Sequence, residues 1–320
     1  MNVLFSFDIK EKYLDSLKSE FNNIQVKKAV NIKQMEEKIG WADILVGMLM
    51  RDFDSDLISQ AVNLKWIQSW SAGVDVFLKE ESFRHLNKNE IILTSVSGIH
   101  KDSMSEQVMG YLISFSRRLP EFLKLQKKRK WERLKVDYLK DKNLAVFGLG
   151  AVGREIARKA KVFKMHVTGT KRNTDLKIPN VDELYNSEQK EEALRNSDFI
   201  VVTLPLTEDT CGYFGYEEFK EMSKSCYFIN VSRGKIVKEN ELIKALQEEE
   251  IAGAALDVFE NEPLAEDSPL YEMDNVIITP HISGLFPDYN REAIKIFKKN
   301  LRRFSDNQKM VNVIDPDLQY

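Results

Sequence analysis

Residues 143–160 read NLAVFGLGAVGREIARKA, and the fold turns on how they are understood. An apolar run enters the first of three glycines, Gly148, Gly150 and Gly153. Ile156, Ala157 and Ala160 follow at helical spacing. A strand that turns into a helix through G-x-G-x-x-G is a dinucleotide-binding arrangement. The first glycine permits the tight turn, the second lets a pyrophosphate reach the backbone, and the third lets helix pack on strand. Free N–H groups at the helix start, including those of Ala151 and Val152, then face the phosphates. The bare motif is weak evidence; a strand before it and a helix after it make it strong.

Outward from this turn the chain alternates. LAVFG, MHVTGT, FIVVTL, CYFINV, GAALDV and NVIITP read as buried strands, and GREIARKAKVF and ENELIKALQEE as helices between them. Six such strands match a complete doubly wound nucleotide domain. Upstream, NVLFSF, ADILVGM, LKWIQSW and IILTSV read as strands, with helices in EKYLDSLKSEF, NIKQMEEKI and SDLISQAV. This second series again predicts βα units on a parallel sheet. Between the series lies SMSEQVMGYLISFSRRLPEFLKLQKKRKW, long and helical. Ser103 and Glu106 have the form of a capping box at its start, and Pro120 predicts a break into two helices. REAIKIFKKNLRRFSD reads as a further amphipathic helix, and VNVIDPDLQY shows no element.

The length of 320 residues suits about two domains. A net charge of −3 gives no reason to expect nucleic acid or an anionic membrane as partner. The basic run KLQKKRKWERLK, Lys124 to Lys135, reads as a solvated helix face. Cys211 and Cys226 lack metal-ligand spacing and read as free thiols in a reducing compartment; no metal is expected. MNVLFSFDIK reads as a first strand and not as a signal peptide, and no apolar run approaches a bilayer span. The expected location is the cytoplasm.

Three later segments, NVSRG (230–234), ALDVFENEPL (255–264) and TPHISG (279–284), each follow a predicted strand of the same sheet. Ligands of open α/β sheets bind at those carboxyl ends. Each segment offers one reactive side chain: Arg233, Glu262 and His281. With SAGVD (71–75), GLGAVG (148–153) and LPLTEDT (204–210), these motifs make the chain resemble the D-isomer-specific 2-hydroxyacid dehydrogenase family along nearly its whole length. The resemblance implies hydride transfer between a nicotinamide cofactor and C2 of a 2-keto or 2-hydroxy acid. It also implies two doubly wound α/β domains: a Rossmann nucleotide-binding domain, 102–284, inserted in a flavodoxin-like substrate domain, 1–101 and 285–320. A homodimer formed through the nucleotide domain, using the long helix after Ser103, is implied in the same way.

The residue types fit that chemistry. Ketone reduction needs a proton for the developing alkoxide, which a histidine supplies, so His281 is the acid in reduction and the base in oxidation. A carboxylate beside it, Glu262, favours the charged imidazole and fixes its orientation. The forked guanidinium of Arg233 suits a substrate carboxylate and polarises the carbonyl oxygen. By resemblance, Gly73 and Val74 offer backbone N–H groups to the substrate carboxylate, while Ser71 and Asp75 shape that turn. Leu204, Pro205, Thr210, Val231, Ser232, His281 and Gly284 belong to the cofactor site, and Asp257 to the nicotinamide amide. Two departures stand out. LFPDY follows TPHISG, so Leu285 and Phe286 bear on the pocket or the dimer contact. SGIHKDSMSEQV carries His100, which reads as a loop residue, with contact to substrate or cofactor as the alternative.

HVTGTKRNT, 166–174, stands where a carboxylate normally binds the adenosine ribose, and it holds none. A 2′-phosphate is repelled by an acid and attracted by a cation. Lys171 and Arg172, helped by Asn173 and Thr174, therefore favour NADP(H), with NAD(H) as the alternative. Val46 to Arg51, Trp70 and Phe286 suggest a mostly apolar pocket for a small or hydrophobic 2-keto acid, and Arg51 keeps phosphoglycerate open. The rival readings are a phosphoglycerate or formate dehydrogenase of the same fold, and a nucleotide-sensing protein related to corepressors.

Overall fold

A computed structural model describes residues 1–47, 57, 59–75, 90–171 and 177–315. The chain divides into two units, Met1–Ile99 with Pro287–Tyr320, and His100–Phe286. The first holds strands β1 (Asn2–Phe5), β2 (Gln25–Lys28), β3 (Ile44–Gly47), β4 (Trp66–Ser69) and β5 (Ile92–Thr94). They form one parallel sheet in the order β2-β1-β3-β4-β5, the flavodoxin-like order. Alternate residues face opposite sides: Leu4, Leu45, Ile67 and Leu93 enter one core, and Val3, Phe5, Ile44, Val46 and Trp66 the other. Burial on both faces is why these strands read as unbroken apolar runs. The C-terminal helix Tyr289–Ser305 returns to this unit, burying Ala293, Ile294, Phe297 and Leu301, with the Phe297 ring stacked 5.3 Å from Trp66.

The second unit holds β6 (Asn143–Phe147), β7 (His166–Thr170), β8 (Glu183–Tyr185), β9 (Phe199–Val202), β10 (Tyr227–Asn230), β11 (Gly253–Leu256) and β12 (Val276–Ile278). The order β12-β11-β10-β9-β6-β7-β8 reverses direction between β6 and β9, as in a dinucleotide-binding sheet. The register aligns Phe147 with Val202, Val202 with Asn230, Asn230 with Leu256 and Leu256 with Ile278. The turns that follow these residues therefore leave the sheet along one edge.

Two strands escape the sequence patterns. β2 and β8 are edge strands of Gln-Val-Lys-Lys and Glu-Leu-Tyr, in which every residue is exposed or half-buried, and polar edges of this kind resist pairing with other chains. Among the described residues the second unit thus has seven strands and not six. The expected capping box is also absent. The helix runs Lys101–Ser116 and starts two residues before Ser103, whose hydroxyl donates to the His100 carbonyl at 3.1 Å. Glu106 instead faces Lys159 at 3.4 Å. The break at Pro120 is present: Arg118 adopts a left-handed conformation and a second helix, Leu119–Lys127, starts there with Pro120 in its first turn. The basic run is helical only to Lys127; beyond it the chain is irregular, with Arg129 at φ 53° and Trp131 almost fully exposed. Both cysteines are free, Cys211 exposed and Cys226 buried. Ser55, Asp56 and Ile58 of SDLISQAV lie outside the described residues.

Candidate active site

The glycine turn has the shape that its spacing predicts. Gly148 sits at φ +99°, and a Cβ there would stand 2.9 Å from the Thr203 carbonyl carbon. At Gly153 a Cβ would meet the Gly148 carbonyl oxygen at 2.0 Å, so only glycine lets the helix Ala151–Val162 lie this close to β6. Gly150 caps that helix, and a Cβ there would meet nothing within 4 Å. One glycine is demanded by conformation and one by packing, while the third borders open space at a helix N-terminus. That combination fits a pyrophosphate. Ala151 is exposed and Val152 half-buried beside it.

Lys171 directly follows β7, whose last residue Thr170 pairs with Phe147, so this cation leaves the sheet beside the glycine turn. Its N–H donates to the Tyr185 carbonyl at 3.0 Å. Arg172, Asn173 and Thr174 lie outside the described residues. After β9, Leu204 is half-buried and Pro205 exposed. The Thr210 hydroxyl donates to the Pro205 carbonyl at 2.6 Å, and the Ser232 hydroxyl donates to the Leu204 carbonyl. The first bond closes the turn after β9 on itself, and the second ties it to the turn after β10. Val231 is buried behind them.

Arg233, Glu262 and His281 follow the neighbouring parallel strands β10, β11 and β12, and so come to the same edge. The Arg233 side chain donates to the Ser232 carbonyl at 2.9 Å, and Asn230 donates to the Arg233 carbonyl at 3.1 Å. Glu262 and His281 meet directly: Oε2 lies 2.7 Å from Nδ1, and Oε1 accepts the Phe259 N–H at 3.1 Å. Among the described residues no partner faces His281 Nε2. The His281 backbone is left-handed, with φ 51°, a conformation that costs a non-glycine residue free energy and is held by its surroundings.

Asp257 supplies that hold. It is fully buried, and its oxygens accept the Thr279 hydroxyl (2.5 Å), the Ile282 N–H (2.9 Å) and the Ser283 N–H (2.9 Å). Its own carbonyl accepts the His281 N–H at 2.8 Å.

His100 is drawn into the same region, which the sequence pattern alone did not require. It precedes the helix Lys101–Ser116 and lies edge-on to Phe286, ring centroids 6.2 Å apart. A Cβ on Gly284 would stand 3.2 Å from its Cδ2. Burial, reinforced by the charge of Arg233, pushes its imidazole down to about 4. Leu285 is exposed.

In the first unit, Gly73 and Val74 follow β4. Ser69 and Ser71 shape the preceding turn, where the Ser71 N–H donates to Ser69 Oγ at 3.1 Å. Among the described residues neither the Gly73 nor the Val74 N–H finds an acceptor. Trp70 belongs to the core and not to a pocket wall: it is 4% exposed and its indole N–H donates to Asn290 at 2.9 Å. Val46 is buried in the same core, and Met48 to Arg51 lie outside the described residues. Among the described residues no three His, Cys, Asp or Glu side chains are grouped to hold a metal ion, and no helix is long and apolar enough to cross a membrane.

Residues 109–283 match the family described as D-isomer specific 2-hydroxyacid dehydrogenase, NAD binding domain. A glyoxylate reductase of Thermococcus litoralis is 31% identical over 88% of this chain and 86% of its own. The crystal structure of a D-isomer specific 2-hydroxyacid dehydrogenase family protein from Aeromonas salmonicida superposes with a TM-score of 0.86, at 35% identity and 99% coverage of both chains. An NADPH-dependent glyoxylate/hydroxypyruvate reductase from Sinorhizobium meliloti, solved with NADP and sulfate, gives a TM-score of 0.86 at 27% identity, covering 100% of this chain and 99% of that one.

Proposed function

The chain belongs to the D-isomer-specific 2-hydroxyacid dehydrogenase family and is an oxidoreductase, and from that premise we propose that it reduces a short 2-keto acid, of the glyoxylate or hydroxypyruvate class, to the D-2-hydroxy acid with NADPH. The observation that carries the reading is the 2.7 Å contact between His281 and Glu262 at the strand edge that also bears Arg233.

The bound nicotinamide supplies the hydride that reaches C2. Arg233 receives the substrate carboxylate and polarises the keto oxygen through its forked donors. Gly73 and Val74 add backbone N–H groups to that carboxylate. His281 delivers a proton from Nε2 to the oxygen as the hydride arrives, and Glu262 holds Nδ1 and stabilises the charged ring beforehand. In oxidation the same nitrogen takes the proton back. Gly148, Gly150, Gly153, Ala151 and Val152 hold the pyrophosphate, with Leu204, Pro205, Thr210, Val231, Ser232, Asp257 and Gly284 around the rest of the nucleotide.

Three facts support NADPH over NADH: the four residues after β7, Lys171 to Thr174, hold no acid, Lys171 leaves the sheet there, and Arg172 follows it in sequence. The names of the Thermococcus and Sinorhizobium relatives support a short substrate. A homodimer and a cytoplasmic site belong to the same proposal. Apolar Trp131, Leu123 and Tyr138, exposed on the nucleotide unit, support the first, and the free thiols support the second.

The test is a panel of glyoxylate, hydroxypyruvate, phenylpyruvate and phosphohydroxypyruvate, each with NADPH and NADH. The highest kcat/KM is expected for a short keto acid with NADPH. Turnover only of the phosphorylated acid with NADH would establish the phosphoglycerate reading, and nucleotide binding without any turnover the sensor reading.

A further inference from the structure

Tyr111 lies in the middle of the helix Lys101–Ser116, at core spacing, and is 3% exposed. Its hydroxyl stands 2.6 Å from Oγ1 of Thr279, 168 residues later in the chain. Thr279 in turn donates to Oδ1 of Asp257. The direction of the protons is fixed by what surrounds them. Asp257 faces two backbone N–H donors and so presents acceptor oxygens to Thr279. The single threonine proton goes to the carboxylate, and the tyrosine must donate to the threonine. Burial holds the phenol above its ordinary range, which keeps that donor protonated, although hydrogen bonds with Thr279 and Gln107 act the other way.

The receiving end of this chain is the loop that carries His281. Asp257 grips it at Thr279, Ile282 and Ser283 by side chain and at His281 by its main-chain carbonyl, around a residue whose φ of 51° is otherwise disfavoured. We propose that Tyr111 is a positioning residue: its hydroxyl, acting through Thr279 and Asp257, locks the left-handed turn that presents His281 to the substrate. The inference rests on the acid–base reading of His281. Without the phenolic donor, Thr279 keeps its bond to Asp257 but loses its anchor to the helix. The loop can then sample other backbone conformations while the core stays packed.

Tyr111→Phe keeps the ring and removes the donor. In NADPH-dependent reduction of glyoxylate by the full chain, kcat is expected to fall roughly tenfold or more, while KM for NADPH stays within about twofold. Thr279→Val should fall similarly, Thr279→Ser should restore the rate, and the Tyr111→Phe/Thr279→Val pair should be no slower than Thr279→Val alone, because the two groups act in series. Melting curves accompany each variant, so that a rate loss can be read apart from loss of fold. His281→Ala is the benchmark. If it is inactive while Tyr111→Phe is unimpaired, or if the Tyr111→Phe and Thr279→Val losses multiply, the positioning role is overturned and the acid–base reading stands. If His281→Ala turns over like the parent, the acid–base reading falls, and the positioning role with it.

Discussion

Oε2 of Glu262 lies 2.7 Å from Nδ1 of His281, while the other oxygen of the same carboxylate is held by the Phe259 N–H. A carboxylate fixed at both oxygens fixes the ring that it faces. It sets Nδ1 as the inner nitrogen and leaves Nε2 as the one that exchanges a proton. Removing the ring in His281→Ala is expected to lower kcat by about 10²- to 10⁴-fold, with nucleotide affinity kept. Glu262→Gln can still orient the ring but no longer stabilises its charge, so a smaller loss, roughly tenfold to a hundredfold, is expected. Steady-state kinetics and nucleotide titration measure both. Glu262→Gln at the parental rate would mean that the pair is structural.

The glycine turn separates two kinds of damage. Alanine at Gly153 would put a Cβ 2.0 Å from a backbone oxygen and 3.0 Å from Thr203 Oγ1, so the helix must move off the sheet. A loss of about 1–3 kcal/mol is expected, lowering Tm by roughly 2–4 °C for each kcal/mol. Alanine at Gly150 meets no protein atom within 4 Å. Its Tm should stay at the parental value, while KM for the nucleotide rises on the order of tenfold, because the added methyl occupies the pyrophosphate's approach. Thermal melts beside nucleotide titrations check both; a Gly150→Ala enzyme with parental KM would contradict the assignment of that space.

Much of this was legible in the sequence because apolar runs and glycine spacing record local demands. The turn at Gly148–Gly153, the paired sheets and the residues after β10, β11 and β12 all follow from such local patterns. The edge strands β2 and β8 left no apolar run, since their exposed positions carry Lys and Glu. Ser103 imitates a cap, but the helix begins earlier, and no local signal distinguishes the two starts. Tyr111 reads as one more core residue on an apolar helix face; its partner is a threonine far along the chain, and only the fold brings them together. His100 is similar: Gly284 and Phe286 give a loop histidine a buried setting that no neighbour in sequence announces.

Nucleotide choice can be tested at the end of β7. A charge-assisted hydrogen bond to a phosphate is worth about 1.5–3 kcal/mol, or roughly ten- to a hundredfold in kcat/KM. Lys171→Ala and Arg172→Ala are each expected to lower kcat/KM for NADPH by that factor and to leave NADH nearly unchanged. Arg172→Asp should go further and invert the preference, since a carboxylate repels the 2′-phosphate and accepts from a ribose 2′-OH. Equal losses with both nucleotides would show that the segment supports the fold and does not read the phosphate.

His100 makes a prediction about acid. Its folded imidazole is pushed down to about 4, by burial first and by Arg233 second, against an ordinary value of 6.5. Between those values the unfolded chain takes up a proton that the folded chain refuses. Stability attributable to this residue is therefore complete above about pH 6.5 and is lost as pH falls towards about 4, by an amount on the order of 3 kcal/mol. His100→Gln removes the titration and keeps a polar side chain of similar reach. Urea unfolding of the parent and of His100→Gln, compared at pH 7.5 and at about pH 5, separates the proton uptake of His100 from that of carboxylates common to both chains. The parent should lose stability relative to the variant on acidification. A difference that stays constant with pH would mean that His100 takes up its proton without cost in the folded state, and that the ring beside Arg233 is solvated and not enclosed against Gly284 and Phe286.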